Sequence, residues 1–279
     1  MITNEKKSQL EELAHNIRVD IIKTGYLSGT KGAHFGGCLS MAELLAVLYS
    51  DFVNYDCSDL EHRDRVILSK GHAALALYCI LFEKGLISED ELKTFEQDNS
   101  ELIAHSRRDL QKGLEFAGGS LSLGLSHAVG VAYACKKKRL DVRIYAIVGD
   151  GELNEGLVWE SLMFASHNKL SNLALIIDHN HLQADGTVEE VMNTAPLKDK
   201  LAAFGFATQE IDGHSVEAIH EALASSFSAA ADRPTAIIAE TVKGKGISFM
   251  ENKAKWHHGD LNELRYGKAL KELGEGSNV

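Results

Sequence analysis

The chain has 279 residues, enough for one large domain or a domain with extensions. At 44% hydrophobic and 25% charged, with two prolines and no low-complexity tract, it reads as globular rather than as linker or disordered chain. A net charge of -11 argues against a nucleic-acid partner, since phosphate backbones require Lys/Arg patches, and no window holds the roughly 18 consecutive apolar residues of a membrane span.

The N-terminus, Met1-Ile2-Thr3-Asn4-Glu5-Lys6-Lys7, is polar and lacks an apolar signal core, so a cytoplasmic protein is expected. Cys38, Cys57, Cys79 and Cys135 lie far apart without C-x-x-C spacing, which fits buried, reduced thiols better than a disulfide frame or a zinc site. The one dense basic run, Lys136-Lys137-Lys138-Arg139, follows an apolar helical stretch and reads as a solvated helix C-terminus.

Taken in order, residues 5–25 place Leu10, Leu13, Ile17 and Ile21 at helical spacing. A glycine-rich turn over 25–37 carries His34. Ser40-Met41-Ala42-Glu43 has the form of a capping box before an apolar helix at 44–48. Residues 65–69 read as a short buried strand, and Lys70-Gly71-His72-Ala73 opens a helix that Gly85 stops. Ser88-Glu89-Asp90-Glu91 is a second capping box. The polar segment 98–113, with His105-Ser106-Arg107-Arg108, has no clear period, and loops of that length are more often functional than idle. Residues 118–124 lead into a small-residue helix over 126–136. The strands 142–148 and 173–177 flank a helix-like segment. A short helix at 198–204, a strand at 207–211, an alanine-rich helix at 215–231, a strand at 235–239 and a helical tail at 262–273 complete the chain. Alternating strands and helices predict an α/β fold, a mostly parallel sheet with helices on both faces, and a site at the carboxyl ends of its strands.

Two polar residues stand at such ends. Asp150 follows the strand 142–148 inside Gly149-Asp150-Gly151, and Asn180 follows the strand 173–177 inside Asp178-His179-Asn180-His181-Leu182. One carboxylate and one amide suit Mg²⁺, a hard ion usually shared with phosphate oxygens, with Ca²⁺ or Mn²⁺ as alternatives. Gly149 and Gly151 allow close backbone approach to a phosphate, and nearby helix N-termini add N–H donors. On these residues alone the reading stays open: an Asp after a strand can simply cap a helix, and Asn180 can occupy a turn.

Gly149-Asp150-Gly151, then 28 residues (152–179), then Asn180 resembles the thiamine diphosphate-binding motif, and the fuller text resembles the transketolases. The resemblance covers nearly the whole chain. It includes the His34 loop, Leu68-Ser69-Lys70-Gly71-His72-Ala73, Gly119-Ser120-Leu121, Asp212-Gly213-His214 and Lys243-Gly244-Lys245-Gly246. It points to the N-terminal subunit of a split transketolase, a single diphosphate-binding domain over 1–279 with an N-terminal helical arm and the thiamine diphosphate-binding fold. The resemblance implies that Asp150, Asn180 and the carbonyl of Leu182 ligate Mg²⁺ and that Gly151 lies against the diphosphate. It implies that Gly119, Ser120 and Leu121 line the cofactor and that His72 hydrogen-bonds its diphosphate. His34, with one of His257 or His258, would face the reacting carbons, and His105 would keep a substrate contact. Glu155 has two readings, a charge at the positive end of the following helix or a member of a carboxylate network between two active sites. Without the resemblance, none of the thirteen histidines stands out as catalytic. His15, His62, His127, His167 and His220 sit in helical or charged contexts and receive no role.

The implied activity is reversible transfer of a two-carbon ketol unit from a ketose to an aldose, free or phosphorylated, with the chemistry carried by the cofactor. Such enzymes also need a glutamate on a pyrimidine-binding domain, for which a chain ending at Val279 is expected to leave no room. The expectation is therefore a protein inactive alone, working in a heterotetramer with a C-terminal transketolase subunit. The departures are Ala104-His105-Ser106-Arg107 for the family's Gly-His-Pro-Asp, Ser122 for a common Gly, and Ala117-Gly118 for a Ser-Thr pair. Arg107 and Arg108 are either solvated or placed to meet an anionic substrate group. The alternatives are a deoxyxylulose-phosphate synthase-like or other acyloin-forming enzyme, a non-catalytic thiamine diphosphate-binding protein, and a Mg²⁺-dependent phosphohydrolase using Glu152 or Glu155 beside Asp150.

Overall fold

The computed structural model describes residues 2–227 and 232–275. Helices α1 (Asn4–Leu27), α2 (Phe35–Leu39) and α3 (Ala42–Asp51) precede strand β1 (Arg65–Leu68), α4 (Ala74–Glu83), α5 (Glu89–Leu92) and α6 (Leu123–Lys138). Then come β2 (Ile144–Gly149), α7 (Gly156–His167), β3 (Leu173–His179), α8 (Val188–Val191), α9 (Leu197–Ala203), β4 (Ala207–Asp212), α10 (Val216–Ser226), β5 (Thr235–Glu240) and α11 (Glu263–Glu272). The last residues of the helix expected over 215–231, namely 228–231, lie outside the described residues.

The five strands form one parallel sheet in the order β1-β2-β3-β5-β4. Its inner strands are apolar runs because both faces are covered. Along β2, Tyr145 and Ile147 point into one apolar layer and Ile144, Ala146 and Val148 into the other. On β3, Ala174 and Ile176 join the first layer and Leu173, Leu175 and Ile177 the second. This two-residue alternation assigns α1, α3, α4, α10 and α11 to one face and α6, α7 and α9 to the other. Register aligns Gly149 with Asp178 and His179 with Glu240, so the polar strand ends emerge side by side.

Helix α1 lies within its layer, with Ile17, Ile21 and Ile22 fully buried. It runs past the start of the expected glycine-rich turn to Leu27, and Phe35–Leu39 inside and beyond that turn is helical. The capping box at Ser88 is present, with Ser88 and Glu91 bonding each other's backbone N–H groups. The one expected at Ser40 is not. Helix α3 starts at Ala42 without a side-chain cap, and the Ser40 hydroxyl turns into the sheet edge to donate to Asp178 Oδ2 at 2.7 Å. Local pattern predicted a cap, and a long-range bond to a buried carboxylate took the hydroxyl instead.

Two stability predictions arise here. Gly124, at the start of α6, packs on β1: a Cβ added there would sit 2.5 Å from Ser69 Cα. Gly124→Ala must push backbone apart and is expected to destabilise by about 1–3 kcal/mol. Gly130→Ala, with open space around its Cβ position, should gain up to about 1 kcal/mol from helix propensity. Equal thermal midpoints for the two variants would contradict this packing. On the other face, burial and then the Glu83 carboxylate push Asp20 up to about 7. A carboxyl whose folded pKa exceeds its unfolded value favours the fold at low pH and penalises it as pH rises toward 7 and above. Discounted for partial exposure, Asp20→Asn is expected to stabilise by about 1–2 kcal/mol at pH 8, roughly 2–8 °C in Tm. It should do little at pH 4. Thermal melts at both pH values check this, and an equal gain at each would contradict it.

Candidate active site

A cleft of about 430 Å³ opens where β2 and β3 end. Asp150, only 2% exposed, accepts from the Asn180 backbone N–H at 2.7 Å through Oδ2 and bonds His179 Nδ1 through Oδ1. The Asn180 side chain donates to Asp178 Oδ2 at 3.1 Å, and its Oδ1 accepts from Leu182 N–H at 3.2 Å. Asp150, Gly151, Asn180 and Leu182 all line the cleft, so the convergence expected from the strand ends is present. The spacing in sequence works because β2 and β3 are direct neighbours in the sheet.

The floor of the cleft holds two lysines that received no role from the sequence. Lys70 is 1% exposed, and its Nζ donates to Asp178 Oδ2 and to the Gly37 carbonyl at 2.8 Å. Asp178 also accepts from Ser40 and Thr241, so every oxygen of this buried carboxylate is engaged. Burial raises the Asp178 carboxyl, but Lys70 and the hydroxyl donors outweigh it and hold the group below its ordinary value. Lys243 is 2% exposed and lines the same cleft. Its Nζ lies 3.4 Å from His257 Nδ1, and no carboxylate among the described residues ion-pairs with it. Burial and then the Lys70 charge pull its ammonium down to about 8. Sequence places Lys70 directly after a strand and before Gly71-His72, but not its burial or its partner. Asp178 and Lys243 sit within recognisable motifs, and only the fold shows that they share one cleft.

The far end of the cleft is a histidine cluster. The His34 ring lies 5.5 Å from His72, 5.5 Å from His105, 5.4 Å from His257 and 4.6 Å from His258. Burial, then the neighbouring histidines, lowers His34 to about 3. Burial, then Lys243, lowers His257 to about 4, and burial, then Lys70, takes His72 well below its ordinary value. These imidazoles are neutral at pH 7, each able to donate and accept one hydrogen bond. His34, His72, His105 and His257 line the cleft, whereas His258 lies behind His34 on a surface it shares with Trp256 and Arg265. Of the two adjacent histidines, His257 therefore faces the cleft.

Gly119 and Leu121 line the opposite wall, and Ser120 is exposed beside them. Ser122 adopts φ 70°, the left-handed region where glycine is strain-free, and its N–H donates to Glu152 Oε1 at 2.7 Å. Glu152 also accepts from Ser69 Oγ and Gly149 N–H, so it ties three loops together and is not free to ligate a metal. That arrangement removes Glu152 from the phosphohydrolase alternative. Ser106, in place of proline, bonds the Phe116 carbonyl at 3.0 Å through its hydroxyl and anchors the loop that carries His105. Arg107 is exposed and paired with Glu101 at 2.8 Å. Glu155 is exposed at the start of α7 and makes no side-chain cap, while still lining the cleft.

The residues fit a magnesium-bound diphosphate. Asp150 and Asn180 line the cleft with side-chain oxygens of the kind a hard cation takes, Leu182 stands beside them, and a buried ammonium without a carboxylate partner among the described residues calls for an anion beside it. A parallel sheet carrying this set at its carboxyl edge defines a diphosphate-binding α/β domain. Similarity to known proteins places it further. Residues 10–276 match the family model described as transketolase, thiamine diphosphate binding domain, and the chain belongs to that family. It is 40% identical over 276 residues to one of the subunits of the apulose-4-phosphate transketolase of Actinobacillus succinogenes, covering 97% of this chain and 98% of that one. It is 39% identical over 242 residues to one of the subunits of the 6-deoxy-6-sulfo-D-fructose transketolase of a Clostridium species, covering 86% and 88%. Among solved structures, the transketolase of Campylobacter jejuni superposes with a TM-score of 0.87 at 30% identity over 100% of this chain, which spans 44% of that protein.

Proposed function

We propose that the chain is the cofactor-anchoring subunit of a two-chain transketolase that moves a two-carbon ketol unit from a ketose, free or phosphorylated, to an aldose. The observation that carries this is the oxygen donor set of Asp150, Asn180 and Leu182 placed beside the buried Lys70 and Lys243. Asp150, Asn180 and the Leu182 carbonyl would hold Mg²⁺. Lys70, Lys243, His72 and the backbone at Gly151 would hold the diphosphate, and Gly119, Ser120 and Leu121 the body of the cofactor. When bound, thiamine diphosphate supplies the carbanion-stabilising chemistry of ketol transfer. The chain's own part is positioning. Neutral His34 and His257, with His105 beside them, line the far end of the cleft, where they would donate to and accept from sugar hydroxyls. Glu155, exposed at the cleft mouth, is placed to enter a carboxylate network across a subunit boundary.

The Actinobacillus and Clostridium relatives are transketolases, which favours ketol transfer over acyloin formation, and their being named as subunits supports a partner chain. A heterotetramer with a C-terminal subunit is the assembly we infer. Apolar side chains exposed on the α6–α7 face support it: Leu123 at 47%, Met163 at 55% and Phe164 at 45%. No described helix is long and apolar enough to cross a membrane, and the four cysteines are free, in keeping with a reducing cytoplasm.

The test is two-carbon transfer between sugar phosphates, measured with the purified chain alone and after co-expression with a candidate C-terminal subunit. Activity is expected only with the partner, Mg²⁺ and thiamine diphosphate together. Full activity of the chain alone, or activity without thiamine diphosphate, would overturn the proposal. Met163→Glu is expected to weaken assembly about tenfold or more while leaving cofactor binding intact, read by sedimentation. Unaltered association would remove the α6–α7 face from the interface.

A further inference from the structure

On the other side of the Asn180–Leu182 turn lies a wider cavity of about 830 Å³, outside the cofactor cleft. Three side chains on its wall face one another: His179 at the end of β3, His181 in the turn after it, and Glu240 at the end of β5. The register that pairs His179 with Glu240 brings them together. His181 Nε2 lies 2.7 Å from Glu240 Oε2 and His179 Nε2 lies 3.6 Å from Glu240 Oε1. One ligand atom from each residue falls within a common 4.8 Å. The two imidazole rings are 4.1 Å apart.

We propose that His179, His181 and Glu240 form a binding site for a transition-metal dication of the zinc class, separate from the diphosphate site. Tetrahedral bonds of about 2.0–2.1 Å place ligand atoms roughly 3.3–3.5 Å apart, a spacing these three residues reach with small side-chain rotations from ligand atoms that already lie within 4.8 Å of one another. Two imidazoles and one carboxylate are the donor set of zinc and its neighbours, and they discriminate against Mg²⁺, which prefers oxygen. A second contact orients one of the rings. His179 Nδ1 is bonded to the buried carboxylate of Asp150. With Nδ1 turned to Asp150, Nε2 is the ring nitrogen of His179 that faces Glu240. Carboxylate–histidine–metal relays have this form, with the outer carboxylate orienting the ring. His181 is brought back toward His179 by a left-handed backbone at φ 62°, and its carbonyl accepts from Val188 N–H at 2.9 Å. The fourth tetrahedral position opens to the cavity, where water completes the shell.

The proposal does not depend on the magnesium reading. Zinc chloride titrated calorimetrically into the purified full chain in millimolar Mg²⁺ is expected to saturate at one ion per chain. His181→Ala and Glu240→Gln should each weaken that binding by about 100-fold or more, with metal-free thermal midpoints unchanged. Co²⁺ in place of Zn²⁺ should give the visible absorption of a tetrahedral nitrogen–oxygen site in the unsubstituted protein, a readout independent of either variant. Absence of saturable zinc binding, unchanged affinity in both variants, or displacement of zinc by Mg²⁺ onto the Asp150–Asn180 set would each overturn it.

Discussion

Lys70→Met is expected to destabilise the chain by about 3–5 kcal/mol, roughly 6–20 °C in Tm, because it leaves Asp178 charged and fully buried without its counter-ion. The remaining donors, Ser40, Thr241 and the Asn180 amide, are neutral and do not replace an ammonium at Oδ2. Lys70 stabilises Asp178 above the unfolded carboxyl pKa, and that stabilisation disappears as pH falls through the depressed folded value. The difference between the original chain and Lys70→Met should therefore shrink in acid. The double variant Lys70→Met/Asp178→Asn removes both charges and should recover most of the stability, since replacing a buried pair whole is often close to neutral. It should not recover cofactor affinity if Lys70 also faces the diphosphate. Chemical denaturation and thiamine diphosphate titration on the same three proteins separate the two roles. A Lys70→Met midpoint equal to the original would show that the pair does not contribute as described.

Asp150→Asn should remove Mg²⁺-dependent cofactor binding almost completely, by at least about 100-fold or roughly 2.7 kcal/mol. Asp150 is the one carboxylate in the proposed ligand set, and Asn180 and the Leu182 carbonyl are neutral oxygens. Stability should fall far less than in Lys70→Met. An asparagine oxygen still accepts from the Asn180 N–H, and only the bond to His179 is weakened. Asn180→Ala should weaken binding to a smaller degree, as loss of a dipole rather than a charge. Calorimetric titration of thiamine diphosphate with and without Mg²⁺ measures this. Retained Mg²⁺-dependent binding in Asp150→Asn would place the ion elsewhere.

The strands, their parallel direction and the helices on both faces were legible because they rest on local pattern. Apolar runs end in Gly149-Asp150 and Asp178-His179-Asn180, and the alternation of strands with helical segments leaves few topologies. That Asp150 and Asn180 meet in one cleft was legible for the same reason, since neighbouring strands of one crossover end side by side. Ser40 shows the limit of that reasoning. Its spacing to Glu43 satisfies a local capping rule, yet a carboxylate 138 residues away in sequence competes for the hydroxyl and holds it. The roles of Lys70 and Lys243 were hidden likewise. A lysine's burial depends on what covers it and what counters its charge, and here those are Asp178, Gly37 and His257, brought from distant segments. The choice between His257 and His258 also needed three dimensions, because adjacent residues point in different directions only once the backbone is fixed. Sequence by itself determined the fold class and the Asp150–Asn180 pair that opens the site. Tertiary structure alone decided which buried charges complete it, because pairing energies depend on distance in space and on exclusion of water, neither of which is written in spacing along the chain.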